Sequence, residues 1–166
     1  SYIIGEHGDS EVPVWSLANV AGMPLEQYCT SLGCMIDKNE REEIAQQVRD
    51  AAYEIIARKG STYYAVAVGL LRIVESILRS QNSILTVSNL ISDYYGINDV
   101  YLSLPAIINE RGVRNLLELK LNDVEQNALL ESARKMRSVL NELDFSPQVA
   151  IKRVKTIRRD LEHTAE

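Results

Sequence analysis

Residues 100–119 have the sequence VYLSLPAIINERGVRNLLEL, in which two apolar segments flank a short polar turn. The turn runs from Asn109 to Gly112, and glycine adopts the backbone dihedral angles that such turns require. The flanking segments, Val100 to Ile108 and Val113 to Leu119, are rich in the residues that strands favour. The stretch therefore predicts a β-hairpin, and the β-rich segment from Ile84 to Leu90 predicts a further strand.

Long helices precede and follow this hairpin. Asp37 followed by Glu40 is typical of a capping pair, and the apolar residues after it recur with the 3.6-residue period of a helix that ends at Lys59-Gly60. A second helix is predicted from Thr62 to Arg79, and its apolar first half predicts burial. A capping box at Asn122 and Glu125 predicts a third helix, which continues to Leu143.

The remaining elements are shorter. We expect a buried strand over residues 1–5, a loop over 6–14, a strand from Val14 to Val20 and a short helical turn from Met23 to Tyr28. Ser146-Pro147 predicts the start of a last amphipathic helix. The sequence thus predicts an α+β fold, with antiparallel strands and a hairpin covered by long helices over residues 1–143 and a helical carboxy-terminal extension over residues 144–166.

The composition argues against several classes of function. The formal net charge is −5, whereas nucleic-acid-binding domains usually present a basic face. The longest apolar stretch, residues 63–71, is far shorter than the ~18 residues of a membrane-spanning helix. Cys29 and Cys34 are too few for a disulfide framework, which favours a reduced, cytoplasmic protein, and no His and Cys cluster has metal-ligand spacing. We expect no metal, no nucleic-acid partner and no membrane partner.

Residues 5–10, GEHGDS, are the best candidate for chemistry. His7 lies between two glycines just after a predicted buried strand, where a loop held by a strand can present an acid–base group. The ordinary pKa of histidine, about 6.5, suits that role. From spacing alone, a histidine hydrogen-bonded in a turn for structural reasons remains an alternative. The other histidine, His163, lies near the end of the chain, and we expect no role for it.

Four segments, in this order and at this spacing, resemble the L-lactate dehydrogenases of the lactate/malate dehydrogenase family. They are residues 2–16 (YIIGEHGDSEVPVWS), 52–65 (AYEIIARKGSTYYA), 95–105 (YGINDVYLSLP) and 118–133 (ELKLNDVEQNALLESA). The resemblance extends from residue 1 to about residue 143 and implies the substrate-binding, carboxy-terminal domain of such an enzyme. Residues 144–166 lie beyond it.

The resemblance implies NAD as cofactor, a small 2-hydroxy or 2-keto acid as substrate and His7 as the general acid–base. It also implies that Thr62 and Ala52 line the substrate pocket and that Val66 packs against the nicotinamide ring. No G-x-G-x-x-G is present, so we expect the chain to lack the Rossmann domain, to be truncated at its amino terminus and to be inactive alone. Full-length relatives in this family are mostly tetramers, which implies self-association.

Thr62 bears on the choice between lactate and malate. The resemblance implies that a threonine here lies beside the methyl end of lactate, where malate dehydrogenases carry alanine or another small residue. A structural alternative is that Thr62 is only the cap of the following helix, just as Ala52 and Val66 would suit plain core packing. Two other functions therefore stay open, a malate or other 2-hydroxy-acid dehydrogenase and a non-catalytic assembly module.

Overall fold

The computed structural model describes residues 1–143, and the predicted helix at residues 144–166 lies outside the described residues. The first elements are β1 (Tyr2–Ile4), β2 (Val12–Val14), a 3-10 helix (Trp15–Leu17), β3 (Asn19–Val20), β4 (Met23–Pro24) and α1 (Leu25–Ser31). Then follow α2 (Lys38–Lys59), α3 (Tyr64–Leu78), β5 (Ser83–Ile91), β6 (Val100–Asn109), β7 (Gly112–Leu116) and α4 (Asp123–Glu142). The α+β class is confirmed.

A three-stranded antiparallel sheet in the order β5-β6-β7 lies at the centre of the fold. The predicted hairpin joins β6 and β7, with Asn109 paired to Gly112 and Gly112 at a φ of 87°. The backbone N–H of Arg111 donates to the side-chain oxygen of Asn109 at 3.0 Å, which stabilises the turn. The second hairpin strand ends at Leu116, three residues before the predicted end.

The core lies between this sheet, β1, β2 and α4. Alternate residues of β6 are buried because successive side chains of a strand point to opposite faces. The most buried core residues are Ile4, Val14, Ile91, Val100, Leu102, Leu104 and Leu129. Helix α4 packs on β2 and β6, so one helix covers both the sheet and the segment that carries His7.

Both predicted capping boxes are present. The Asp37 carboxylate accepts from the backbone N–H of Glu40, the Asn122 side chain accepts from that of Glu125, and both glutamates bind back to the cap. Gly60 ends α2 with a φ of 82°, as predicted. These motifs were predictable because each joins residues that are neighbours in the sequence.

The strand predicted from Val14 to Val20 is wrong for most of its length, because only Val14 and the two residues of β3 lie in strands. Residues 12–14, which were predicted to be loop, pair with β1, and a turn of 3-10 helix follows. Glu125 is the physical reason, because its buried carboxylate accepts from the backbone N–H of Ser16 at 2.8 Å and from the Ser16 hydroxyl at 2.5 Å. The backbone N–H of Ser16 is therefore satisfied by a side chain of α4 and not by a neighbouring strand. Likewise, residues 23–24 form a short strand, and helix α1 begins only at Leu25.

Helix α3 departs from the expectation of burial. Only Ser76 is fully buried on it, whereas the apolar side chains of its first half are mostly exposed among the described residues. Helix α3 packs on strand β6 of the sheet. The apolar residues of α3 therefore leave an uncovered apolar surface.

Candidate active site

The strand that leads to His7 is anchored on the central sheet. The N–H of Gly5 donates to the carbonyl oxygen of Ser103 at 2.9 Å, and the N–H of Ser103 donates back to that of Gly5 at 2.8 Å. Ile4, one residue earlier, is 1% exposed. Because Gly5 is held from the β6 side, the loop that follows starts from a fixed point.

Gly5 also meets α4. A Cβ atom at this position would lie 2.7 Å from the Oγ of Ser132, and the φ of Gly5 is +94°. Both the backbone conformation and the close approach of the helix therefore require glycine. Glycine beside His7 therefore has a structural cause, which is the close approach of helix α4.

The Glu6 carboxylate has one partner in this loop and one on helix α4. It accepts a hydrogen bond from the Ser10 hydroxyl and forms an ion pair with the Nζ of Lys135 at 3.2 Å. Partial burial opposes ionisation, but Ser10 and Lys135 together outweigh it and lower the pKa of Glu6 below its usual value. Glu6 thus tethers the loop to α4 as an anion.

The His7 side chain is exposed, and no residue among 1–143 forms a hydrogen bond with its imidazole. Nearby, the hydroxyl of Tyr53 on α2 donates to Asp9 at 3.2 Å, and this contact raises the pKa of Tyr53. Burial raises the pKa of Glu11, while Arg49 and the charge of His7 partly oppose that rise. The loop is therefore bordered by α2 as well as by α4.

The other predicted site residues lie on or beside the helices α2 and α3. Ala52 is exposed on α2 next to Tyr53, Thr62 is half-buried between the two helices, and Val66 is 54% exposed in the first turn of α3. The tyrosine contact brings the part of α2 that contains Ala52 to the His7 loop. No hydrogen bond or ion pair of the described residues joins Thr62 or Val66 to that loop.

The alternative that Thr62 caps α3 is wrong. The residue at the cap position is Tyr63, and no side chain makes a capping hydrogen bond there. The corner between α2 and α3 is instead held by Lys59, whose ammonium lies 4.4 Å from the ring centroid of Tyr63 and 4.6 Å from that of Tyr64. The Thr62 hydroxyl is left without a capping role.

A cavity of about 410 Å³ lies beside the loop, between β2, α2 and α4. It is lined by Glu11, Trp15, Arg41, Arg49 and Glu125 among others, and His7 is not one of its lining residues. Among residues 1–143, no group of three or more His, Cys, Asp or Glu side chains could hold a metal ion. No helix in that range is both long and apolar enough to cross a bilayer.

The sequence interpretation missed the residues that hold the loop, chiefly Ser132 and Lys135. Ser132 was noticed only as part of a resembling segment. One signal was available: Ser132 follows Leu129 by three residues, which places a small polar side chain on the buried face of α4. A buried polar side chain needs a hydrogen-bond partner, and this one finds it in the His7 loop.

The structure is an α+β domain in which the exposed loop that carries His7 is held between the central sheet and helix α4. The sequence profile of the lactate/malate dehydrogenase alpha/beta C-terminal domain matches residues 1–144. The chain belongs to the lactate/malate dehydrogenase family, and the matched part corresponds to that C-terminal domain.

Individual relatives agree. The chain is 51% identical over 144 residues to the L-lactate dehydrogenase of Thermoanaerobacter sp. (strain X514), which covers 87% of the chain and 46% of the relative. It is 48% identical over 143 residues to L-lactate dehydrogenase 1 of Clostridium acetobutylicum, and this match covers 86% of the chain and 46% of the relative. The chain therefore spans about half the length of the curated relatives it matches.

Solved structures agree as well. A lactate dehydrogenase enzyme from a Medee basin deep-sea metagenome library superposes with a TM-score of 0.81 at 43% identity, covering 87% of this chain and 46% of that one. The minor L-lactate dehydrogenase of Enterococcus mundtii superposes with a TM-score of 0.80 at 37% identity, covering 85% and 45%.

Proposed function

We propose that this chain is the substrate-binding half of an NAD-dependent L-lactate dehydrogenase, in which His7 is the general acid–base. The observation that carries the proposal is the exposed imidazole of His7 on a loop held from two sides, by β6 and by α4. Relatives about half identical to the chain bear the name L-lactate dehydrogenase.

The chemistry assigned to His7 is proton exchange. A neutral imidazole accepts the proton of the C2 hydroxyl when the hydroxy acid is oxidised, and the protonated ring returns it to the carbonyl oxygen in the reverse direction. The ring is exposed and has no hydrogen bond to another described side chain. It can therefore act toward a ligand both as proton acceptor and as proton donor. Histidine suits this because it changes charge near neutral pH.

NAD, when bound, supplies the two-electron redox chemistry. Val66 fits a contact with a flat ring, since it is apolar, 54% exposed and in the first turn of α3. Because the chain spans about half the length of its relatives, we assign the remaining cofactor contacts to the part of such enzymes that the chain does not match. On this proposal the chain alone has no turnover.

Substrate contacts are assigned to Thr62 and Ala52. Thr62 is half-buried, free of the capping role and placed where α2 passes into α3. Its methyl group would pack beside the apolar end of lactate or pyruvate, whereas the extra carboxylate of malate would need polar partners there. We therefore favour lactate over malate.

A hybrid enzyme tests the proposal. In it, this whole chain replaces the matched segment of the Thermoanaerobacter L-lactate dehydrogenase, and NADH oxidation is followed with pyruvate and with oxaloacetate. We expect turnover with pyruvate, little with oxaloacetate and none from the 166-residue chain alone. A preference for oxaloacetate would make the enzyme a malate dehydrogenase, and a folded hybrid that turns over neither acid would contradict the proposal.

Replacing Thr62 with Ala in the hybrid enzyme is expected to lower the ratio of kcat/KM for pyruvate to that for oxaloacetate by about 10-fold, because one lost methyl contact changes discrimination by that order. The exposed Thr30 on α1, changed to Ala, is the matched control. Equal ratios for the two variants and the unsubstituted hybrid would remove Thr62 from the substrate pocket.

A homo-oligomer is also proposed, and one observation favours an assembly role. Residues 64–71 contain no charged side chain, and their large apolar residues are mostly exposed. A second copy of the chain presents the same uncharged surface, so a two-fold contact through Val68 and Leu71, on the side of α3 away from Val66, would bury both copies at once. Sedimentation of the chain at several concentrations tests this. A monomer mass at every concentration contradicts it.

A further inference from the structure

Helix α4 reaches the backbone directly before His7 with one buried hydroxyl. The N–H of Glu6 donates to the Oγ of Ser132 at 2.8 Å, across 126 residues of sequence. We propose that Ser132 is a positioning residue, which holds the Glu6 peptide and thereby sets where the imidazole of His7 lies. The inference rests on the proposed function, in that His7 is taken as the proton-exchanging group.

The hydrogen bonds around Ser132 have a consistent direction. The Glu6 carboxylate is ionised and can only accept, so the Ser10 hydroxyl donates to it. The Oγ of Ser10, which lies 3.3 Å from that of Ser132, is then free to accept from Ser132. Ser132 in turn accepts from the N–H of Glu6. The loop is thus closed by a ring of hydrogen bonds that starts and ends at Glu6, and every donor in it is used once.

Lys135 strengthens this ring from the same helix. It follows Ser132 by three residues, so both side chains lie on one face of α4. Its ammonium is 3.2 Å from the carboxylate oxygen of Glu6 that also accepts from Ser10. The cation keeps Glu6 in the acceptor form that the ring needs, whereas a protonated Glu6 would compete with Ser10 as a donor.

Gly5 supports the assignment independently of any hydrogen bond. The Cα of Gly5 approaches Ser132 so closely that an added Cβ would collide with its Oγ. Ser132 is 0% exposed. The helix and the loop are therefore in direct contact at the residue before Glu6. Ser132 constrains the loop by packing against Gly5 as well as by the hydrogen bond to Glu6.

The location of His7 depends on this backbone because its ring has no hydrogen bond of its own among residues 1–143. Proton transfer needs the two heavy atoms within hydrogen-bond reach. A displacement of about 1 Å can lower a rate by about 100-fold. A residue that never touches substrate can therefore act on kcat through the peptide of Glu6.

Kinetics of the hybrid enzyme test the inference. Ser132→Ala removes the acceptor, and Ser132→Cys replaces the hydroxyl with a larger, weakly accepting thiol, so it is a second variant if the alanine variant does not fold. Ser138→Ala, an exposed site on the same helix, is the matched control. We expect both Ser132 variants to lower kcat by about 10- to 100-fold with the KM for NADH unchanged, and the control to change neither.

Hydrogen exchange of the 166-residue chain supplies a measurement that needs no turnover. The Glu6 amide should exchange at least several-fold faster in Ser132→Ala and Ser132→Cys than in Ser138→Ala, because its acceptor is lost. Unchanged kcat in both Ser132 variants, or reduced kcat with an unchanged Glu6 exchange rate, would overturn the inference. Failure of the proposed function looks different, since a His7→Gln hybrid would then keep its full rate.

Discussion

A hybrid enzyme carrying His7→Gln is expected to retain folding and NADH binding but to lose about 100- to 10,000-fold in kcat for pyruvate reduction, the range that general acid–base catalysis contributes. Glutamine approximates the length of histidine and keeps hydrogen-bonding groups, but it cannot exchange a proton near neutral pH. His7 is exposed, so its replacement leaves no cavity. Steady-state kinetics with both substrates varied measure the effect.

The only other histidine supplies the matched control. His163→Gln makes the same chemical change at the far end of the sequence, outside the segments that resemble the dehydrogenases, and we expect kcat to stay within about twofold. Equal rates for the two variants would contradict the acid–base assignment. A rise in the KM for pyruvate with kcat unchanged would instead indicate that His7 only binds substrate.

The parts of the fold that could be predicted from the sequence are those encoded locally. The Asn109–Gly112 turn joins adjacent strands, and the capping residues Asp37 and Asn122 bind residues three positions ahead. In each case the sequence separation is a few residues, so composition and spacing carry the information. The same applies to the end of α2 at Gly60.

The 3-10 turn at Trp15–Leu17 could not be predicted because a distant side chain binds it. Glu125 binds the backbone and hydroxyl of Ser16 across 109 residues, and periodicity contains no trace of such a contact. Without it, the apolar pattern from Val14 to Val20 favours a strand. The tertiary partner outweighs local propensity here, as it does often in strands.

The candidate site divides in the same way. His7 could be singled out because its two flanking glycines and its place after a strand are visible in the sequence. For Ser132 the sequence offers only its place on the buried face of α4, and it does not reveal the contact with Glu6 across 126 residues. The exposed first half of α3 is a third case: its apolar residues predict a covering surface, but among residues 1–143 nothing covers most of them.

Gly5→Ala is expected to lower the free energy of unfolding of the 166-residue chain by about 2–6 kcal/mol. One part is backbone strain, about 1–3 kcal/mol for a non-glycine residue held at positive φ, and the φ of Gly5 is +94°. The other part is overpacking, also about 1–3 kcal/mol, because the new Cβ would lie 2.7 Å from the Oγ of Ser132. Urea denaturation followed by circular dichroism measures the sum.

A second glycine separates the two contributions. Gly96 has a φ of +74° but nothing within 4 Å of an added Cβ, so Gly96→Ala should cost only the strain, about 1–3 kcal/mol. Combining Gly5→Ala with Ser132→Ala removes the colliding oxygen, and the double variant should lose less than the two single losses added together. Additive losses, or equal losses at Gly5 and Gly96, would mean that the loop and α4 are not in the close contact through which Ser132 is proposed to act.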